Sequence, residues 1–251
     1  MSTSLAEPGI PLAVLCVVMA LLAAIVYRVS GIGPSFTVPA AALRGVAQLA
    51  AVSLVLTAAL EYLWSSLLVL LAMFVAAAFT SARRSESGLS GSWLAIPLAA
   101  GIGVVVPLCL MTGVVPAQGI AIVPVGGIIL GGTMIATSLS ARRSLDALSQ
   151  RRGEVEAALS LGLSERDSRL EVIRPTAADA LLPGLDQTRT VGLVTLPGAF
   201  VGVLLASGSA IQAGAVQILV LVGILLAQSL AASFTVEFVA RGYVQRSPRV
   251  K

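Results

Sequence analysis

The chain has no histidine. That absence excludes imidazole metal sites, histidine acid–base catalysis and a Ser-His-Asp triad. Cysteine is nearly missing too: Cys16 and Cys109 are the only thiols, and both lie inside apolar runs. Such thiols read as inert core residues and give no disulfide framework. Charged residues make up only 11% of the chain, against about 25% in a soluble domain. The apolar runs hold almost no carboxylate, so a membrane-embedded acid–base enzyme and an ion-coupled secondary transporter both lack the groups they need. There is no GxxxxGK[ST] phosphate loop. The pairs Gly126-Gly127 and Gly131-Gly132 sit in an apolar stretch without the lysine that phosphates call for, and read as positions of close helix packing, with Gly127 and Gly131 spaced as GxxxG. This chain binds no ATP by the usual device.

What is present is apolar surface. Of 251 residues 57% are hydrophobic, and the mean hydropathy is +0.98. A core of this size needs far less, so lipid is the solvent for much of the surface. The expected fold is all-α, a polytopic membrane protein of about seven transmembrane helices, each needing about 20 mainly apolar residues. The qualifying segments are 8–27, 40–60, 62–80, 93–111, 120–139, 190–206 and 213–239. The second and third are split only by Glu61, which implies a tight hairpin. The first run is preceded by Glu7 rather than a cation and followed by Arg28, so it reads as a retained helix and not a signal peptide.

The pI of about 9.7 invites a nucleic-acid reading, but the net charge is only +4 and the arginines stand at the ends of apolar runs. That placement encodes membrane orientation, not a nucleic-acid stripe. With the N-terminus outside and seven crossings, Arg28, Arg83, Arg84, Arg142, Arg143, Arg151, Arg152, Arg166, Arg169, Arg174, Arg189, Arg241, Arg246, Arg249 and Lys251 all fall inside, and Arg44 lies near the inner end of the second span. Glu7 and Glu61 fall outside. The expectation is therefore N-out and C-in, multi-pass in the inner (plasma) membrane, with one permease domain over residues 1–251 and a cytoplasmic loop at about 141–188.

Within that loop, residues 144–161 read as an amphipathic helix with Leu145, Leu148, Val155 and Leu159 at helical spacing. Gly162 reads as a stop, since it tolerates positive φ. Ser164 with Asp167 three residues later starts a second short helix, and Pro175 ends it or opens the next. The stretch EAALSLGLSERDSRLEVIRP, residues 156–175, is a polar island in the chain. Glu156-Ala157-Ala158, Gly162 and Pro175 fall at the spacing of the EAA loop of ABC-transporter permeases: Glu-Ala-Ala, three residues, Gly, nine residues, Ile, one residue, Leu, Pro. Val172 stands in the Ile place and Arg174 in the Leu place. Small Ala157 and Ala158 allow close approach of a partner, and Glu156 offers a carboxylate to a basic partner or to its own helix.

Several polar or helix-breaking residues fall in the spans. Pro197 and Gly198 lie mid-span and give either a static kink or a gate hinge. Arg44 and Gln48, one turn apart, share a face; Arg44 either faces an interior or snorkels to the interface. Gln217 and Gln228 are candidate pathway or interhelix hydrogen-bonding groups. Glu237 is interfacial at the inner end. Met73, Met111 and Met134 read as packing residues.

Beyond the loop the chain resembles the FetB-type permeases, formerly an uncharacterised protein family, of iron-export ABC transporters. The resemblance runs over roughly residues 40–240. It is carried by Arg44-Gly45-Val46-Ala47-Gln48-Leu49, by Ile122-Val123-Pro124 through Met134, by the EAA region, by the run TVGLVTLPG at 190–198 followed by Gly202, and by Gln217-Ile218. Where the family often has Gly-Asn before the methionine, this chain has Gly131-Gly132-Thr133-Met134. Ser209 and Ala215-Val216 replace a proline and a Lys-Tyr of the family. The resemblance implies iron or metal-stress export, and related plant permeases linked to aluminium tolerance imply that cargo varies.

These expectations make the chain a permease subunit and not itself an enzyme. It would be paired with a separate cytoplasmic ABC ATPase that binds ATP and Mg, would work as a homodimer in lipid, and would have no nucleic-acid partner. No metal site is legible in the sequence. The alternatives are an ABC permease for another solute, such as a nucleotide sugar or organic anion, and an ATP-independent secondary transporter.

Overall fold

The structure is a computed structural model and describes residues 9–59 and 62–247. The expected hairpin at Glu61 and the charged positions Glu7, Arg249 and Lys251 lie outside the described residues. The chain folds as two compact units, the first ending at Ala59 and the second starting at Leu60.

The first unit is a pair of helices. Helix α1 spans Ile10–Val29, opened by a proline in its first turn and closed by Arg28 in its last. Helix α2 spans Thr37–Ala59. Both are apolar, and residues 10–29 and 37–54 are almost wholly exposed, as expected of surface solvated by lipid.

The second unit begins with α3, Leu63–Arg84, which ends on two arginines. A 3₁₀ segment, Gly88–Leu94, leads into α4, Ala95–Met111. Helix α5 is Gly119–Gln150. Three shorter helices follow: α6, Arg152–Ser160; α7, Glu165–Ala177; and, after a 3₁₀ turn, α8, Leu182–Thr190. Helix α9 is Gly198–Ser207 and α10 is Ala210–Ala240. Among the described residues no named strand occurs; one isolated bridge joins Val191 and Thr195. The protein is an all-α polytopic membrane protein.

Among the described residues six helical stretches are long and apolar enough to cross a membrane: Ile10–Val29, Thr37–Leu54, Leu63–Arg84, Gly88–Met111, Gly119–Gln150 and Ala210–Ala240. The expected count of about seven differs at one place. Residues 190–206 do not form a kinked span. Helix α8 stops at Thr190, residues 191–197 are unwound, and α9 is only 10 residues long. Two local causes are visible. Gly192 takes φ +80, which ends a right-handed helix. Pro197 also pushes Leu196 away from the helical region. Pro197 and Gly198 are therefore the N-cap and first residue of α9, and not a kink inside a helix.

The C-terminal ends of α3, α5 and α10 meet. Arg246 reaches Asp146 on α5 and, at 3.6 Å, Glu86 after α3; Ser90 Oγ donates to the carbonyl of Gln245 at 2.9 Å. Leu94, Ala141, Leu145, Leu170, Ile173, Val239, Ala240 and Val244 form one buried apolar cluster at this end, which seats α7 between α5 and α10. Helices α3, α4, α5 and α10 pack through small residues higher up. A Cβ on Gly126 would stand 3.0 Å from Leu70, one on Gly127 2.8 Å from Met73 Cε, and one on Gly101 2.7 Å from Thr133. Close packing thus falls on Gly126, Gly127 and Gly132, while Gly131 meets nothing within 4 Å. The GxxxG expectation holds for its first glycine only.

Candidate functional site

The polar island folds as a helix–turn–helix at the basic end of the second unit. The expected helix over residues 144–161 is two pieces. Residues 144–150 are the last turns of α5, and Arg151, with φ −113 and ψ 35, breaks the axis before α6 starts. Leu145 is buried on α5, whereas α6 has no buried residue at all. The leucine pattern marked two helices whose apolar faces do not continue each other.

Glu156, Ala157 and Ala158 lie on α6. Glu156 accepts from Arg152 Nε at 3.1 Å along its own helix, with both side chains well exposed. Arg151 forks onto Glu154, and that guanidinium holds the Glu154 carboxyl below its usual range. Gly162 closes the helix as expected, at φ +88. The Gly162 N–H donates to the Leu159 carbonyl at 2.9 Å and the Leu163 N–H to the Ala158 carbonyl at 3.2 Å. This pair of bonds is a Schellman cap, so Ala158 of the island has its carbonyl fixed by the turn.

Ser164 caps α7. Its Oγ accepts from the Asp167 N–H at 3.1 Å and donates to Asp167 Oδ2 at 2.7 Å. Pro175 neither ends α7 nor opens the next helix; it sits inside α7, two residues before its end. A proline there removes only one late hydrogen bond, and the chain passes at once into the 3₁₀ turn Ala178–Leu181. On α7, Ser168, Leu170, Val172 and Ile173 are buried. Arg166 forks onto Glu237 of α10, Nε to Oε1 at 2.7 Å and Nη2 to Oε2 at 2.8 Å. Glu237 and Asp167 both hold the Arg166 guanidinium protonated, raising it above its ordinary value. Sequence reasoning placed Glu237 at the interface but did not pair it. The signal available was a carboxylate near the end of a span facing a loop rich in arginine.

The pathway candidates separate. Arg44 and Gln48 lie one turn apart on α2, both exposed, in the first unit. Gln217 and Gln228 lie on α10, 4% and 6% exposed. Gln228 Nε2 donates to the Gly132 carbonyl of α5 at 3.2 Å, and its Oε1 has no donor; Gln217 Oε1 has none either. A Cβ on Gly184 of α8 would stand 2.0 Å from Gln228 Oε1. Gln228 is thus the joint of α5, α8 and α10, and a side chain at position 184 would displace its amide. Gly132 was read from the sequence as a close-packing glycine, but Gly184 and its meeting with Gly132 and Gln228 were not, because the contact spans three elements far apart along the chain. Met134 packs beside the buried cluster of Ala77, Leu98 and Leu130, while Met111 is exposed.

Among the described residues no three of His, Cys, Asp and Glu group as metal ligands. Residues 193–196 carry exposed side chains, with Leu193 88% exposed, while Val191 and Pro197 are half-buried. Gly192 N–H donates to the Thr195 carbonyl at 2.9 Å, which closes the turn.

A family model described as Uncharacterised protein family (UPF0014) matches residues 11–244. The chain belongs to that family. Its relatives include UPF0014 membrane protein slr1647 of Synechocystis sp., 33% identical over 186 residues, 72% of this chain and 71% of that protein. UPF0014 membrane protein STAR2 of Oryza sativa is 32% identical over 156 residues, 62% of this chain but only 55% of the rice protein. The protein named "Probable iron export permease protein FetB" in Escherichia coli is 29% identical over 181 residues, 68% of this chain and 69% of that protein. The match thus spans little more than half the length of the rice relative. No solved structure matches. The relatives are named as membrane proteins or as a permease, and none of these names describes an enzyme.

Proposed function

We propose that this chain is the membrane-spanning subunit of an ABC transporter, moved by a separate cytoplasmic ATPase that binds ATP and Mg. The observation that carries the reading is α6. It projects Glu156, Ala157 and Ala158 with no buried residue of its own, yet it is joined at both ends to well-packed helices. A solvated helix with no core face, held firmly at each end, is built for a partner. Two such subunits would meet two ATPases, so the working form is a homodimer.

The basic ends of α3, α5 and α10 face the cytoplasm, which gives C-in and N-out in the inner membrane. This orientation takes α8, residues 191–197 and α9 as one interrupted crossing. Gly184 of α8 packs on Gln228, 12 residues or about 18 Å above the inner end of α10. Ala199, Gly202 and Val203 of α9 face Ile120 and Pro124, in the first turns of α5, across a cavity of about 740 Å³. The break therefore lies at membrane depth, where non-helical backbone is tolerated only against protein or water. The cargo we assign is a metal ion, iron, moved outward, as the name of the Escherichia coli relative implies.

The test is coexpression with a candidate ABC ATPase, followed by reconstitution in liposomes. Wild type should capture the ATPase and show hydrolysis stimulated by iron. Glu156→Lys should lose capture by about tenfold or more, since it sets a cation where a basic partner surface docks. Wild type that captures no ATPase would sink the reading. Capture with stimulation by a nucleotide sugar or organic anion instead of iron would keep the motor and replace the cargo.

A further inference from the structure

Helix α6 is tied to the bundle in two ways. Toward the N-terminus it continues α5 with only Arg151 between them, so α5 must follow any movement of α6 by covalent connection. Toward the C-terminus it turns at Gly162 into α7, and α7 touches α10, to which it has no sequence connection nearby. Helix α10 is the one that bears Gln217 and Gln228. Whatever moves α10 must cross a non-covalent contact.

Between α7 and α10 two kinds of contact are available. Leu170 and Ile173 pack with Val239 and Ala240. Such apolar contact is non-directional and lets surfaces slide. The polar contact is directional. Arg166 is the second residue of α7, and its planar fork meets both oxygens of Glu237. Glu237 also accepts from Arg241 one turn further along α10. Arg169, one turn along α7, donates from Nη1 to the carbonyl of Ala240 at 3.2 Å. A Cβ on Gly242 would stand 2.8 Å from that same nitrogen, so the guanidinium lies directly on the helix end.

We infer that the Arg166–Glu237 fork, with Arg169 beside it, is the contact through which movement of α6 reaches α10 by way of α7, beside the packing of α10 on α5. Arg166 and Glu237 are positioning residues; neither touches ATPase or cargo. The pair is part-exposed, with side chains 42% and 26% accessible, so it adds little to stability. Its use is to make α10 move with α7 instead of sliding past it. Helix α5 moves whether or not the fork is present. The inference rests on the coupling role proposed for α6.

The experiment compares wild type, Arg166→Gln, Glu237→Gln and the double variant, each coexpressed with the ATPase. Three quantities are read: ATPase capture, thermal stability, and the change that ATP causes in hydrogen exchange of residues 233–240 on α10 and 143–150 on α5. Wild type should respond to ATP at both segments. Each single variant should capture the ATPase within about twofold of wild type and keep the α5 response. Each should lose the α10 response by about fivefold, and the double variant should lose no more than either single, because both act through one contact. Arg166→Lys, which keeps charge but not the fork, should fall between.

An undiminished α10 response in the single variants overturns the inference. So does equal loss at α5 and α10, which marks general loosening. Wild type that captures no ATPase overturns the coupling reading itself and this inference with it, an outcome told apart by the capture measurement alone.

Discussion

Helices α6 and α7 are neighbours in sequence, similar in polarity and separated by one glycine turn, yet they live differently. Helix α6 buries nothing; its ion pairs, Arg152 with Glu156 and Arg151 with Glu154, run along the solvated surface of its own segment. Helix α7 buries four side chains and sends two arginines to α10. The contrast shows that a charge-rich stretch of sequence divides into a part left solvated and a part built into the bundle. What separates them is whether the charges are satisfied locally or across elements.

The sharpest way to break the comparison is to remove apolar volume from each helix. Ile173 on α7 is fully buried, so Ile173→Ala should cost about 2–5 kcal/mol and lower the melting temperature in detergent. Leu159→Ala on α6 removes a half-exposed side chain and should change stability by less than about 0.5 kcal/mol. Equal losses would mean that α6 has a packed face after all.

The turn between them comes next. Gly162→Ala forces a Cβ into φ +88 with no neighbour to clash against, so the cost is backbone strain alone, roughly 1–2 kcal/mol. It should appear as faster hydrogen exchange at 158–163 with α7 unchanged. Ser164→Ala removes the cap of α7 and should cost about 1 kcal/mol, read as fraying of 165–168.

The smallest effect is acid titration of the Arg151–Glu154 pair. Glu154 is held below its usual value, so its contribution is present above the unfolded carboxylate pKa and is lost as pH falls through the lower folded value. Exchange at the start of α6 should therefore stay flat from neutral pH down to the ordinary carboxylate range and rise only below it. A rise already near pH 6 would place the control elsewhere.

Much of this was legible in the sequence. Six long spans, the stop at Gly162 and the Ser164 cap follow from periodicity and single-residue rules that act within a few positions. Two features were not. The break at 191–197 reads as apolar sequence, and hydropathy cannot distinguish a kinked span from an unwound one when the deciding facts are the φ of Gly192 and the restriction that Pro197 puts on Leu196. The Gly132–Gly184–Gln228 joint and the Arg166–Glu237 fork join residues 44 to 96 positions apart, and no local pattern marks them. The Glu-Ala-Ala-Gly spacing located α6, but it could not show that the helix carries no core face.

Helices α5 and α10 are 32 and 31 residues long. At 1.5 Å per residue they measure about 48 and 46 Å, against a hydrocarbon layer of about 30 Å. Both exceed that layer by about a third of their length, so each has turns to spare outside the hydrocarbon. A helix of that length is also a lever: tilting α5 by about 10° about its N-terminal end swings its C-terminal end by roughly 8 Å. Small angular changes within the membrane and a stroke of atomic-contact size at α6 are then two ends of one rigid rod, and the length of these helices sets the gearing between them.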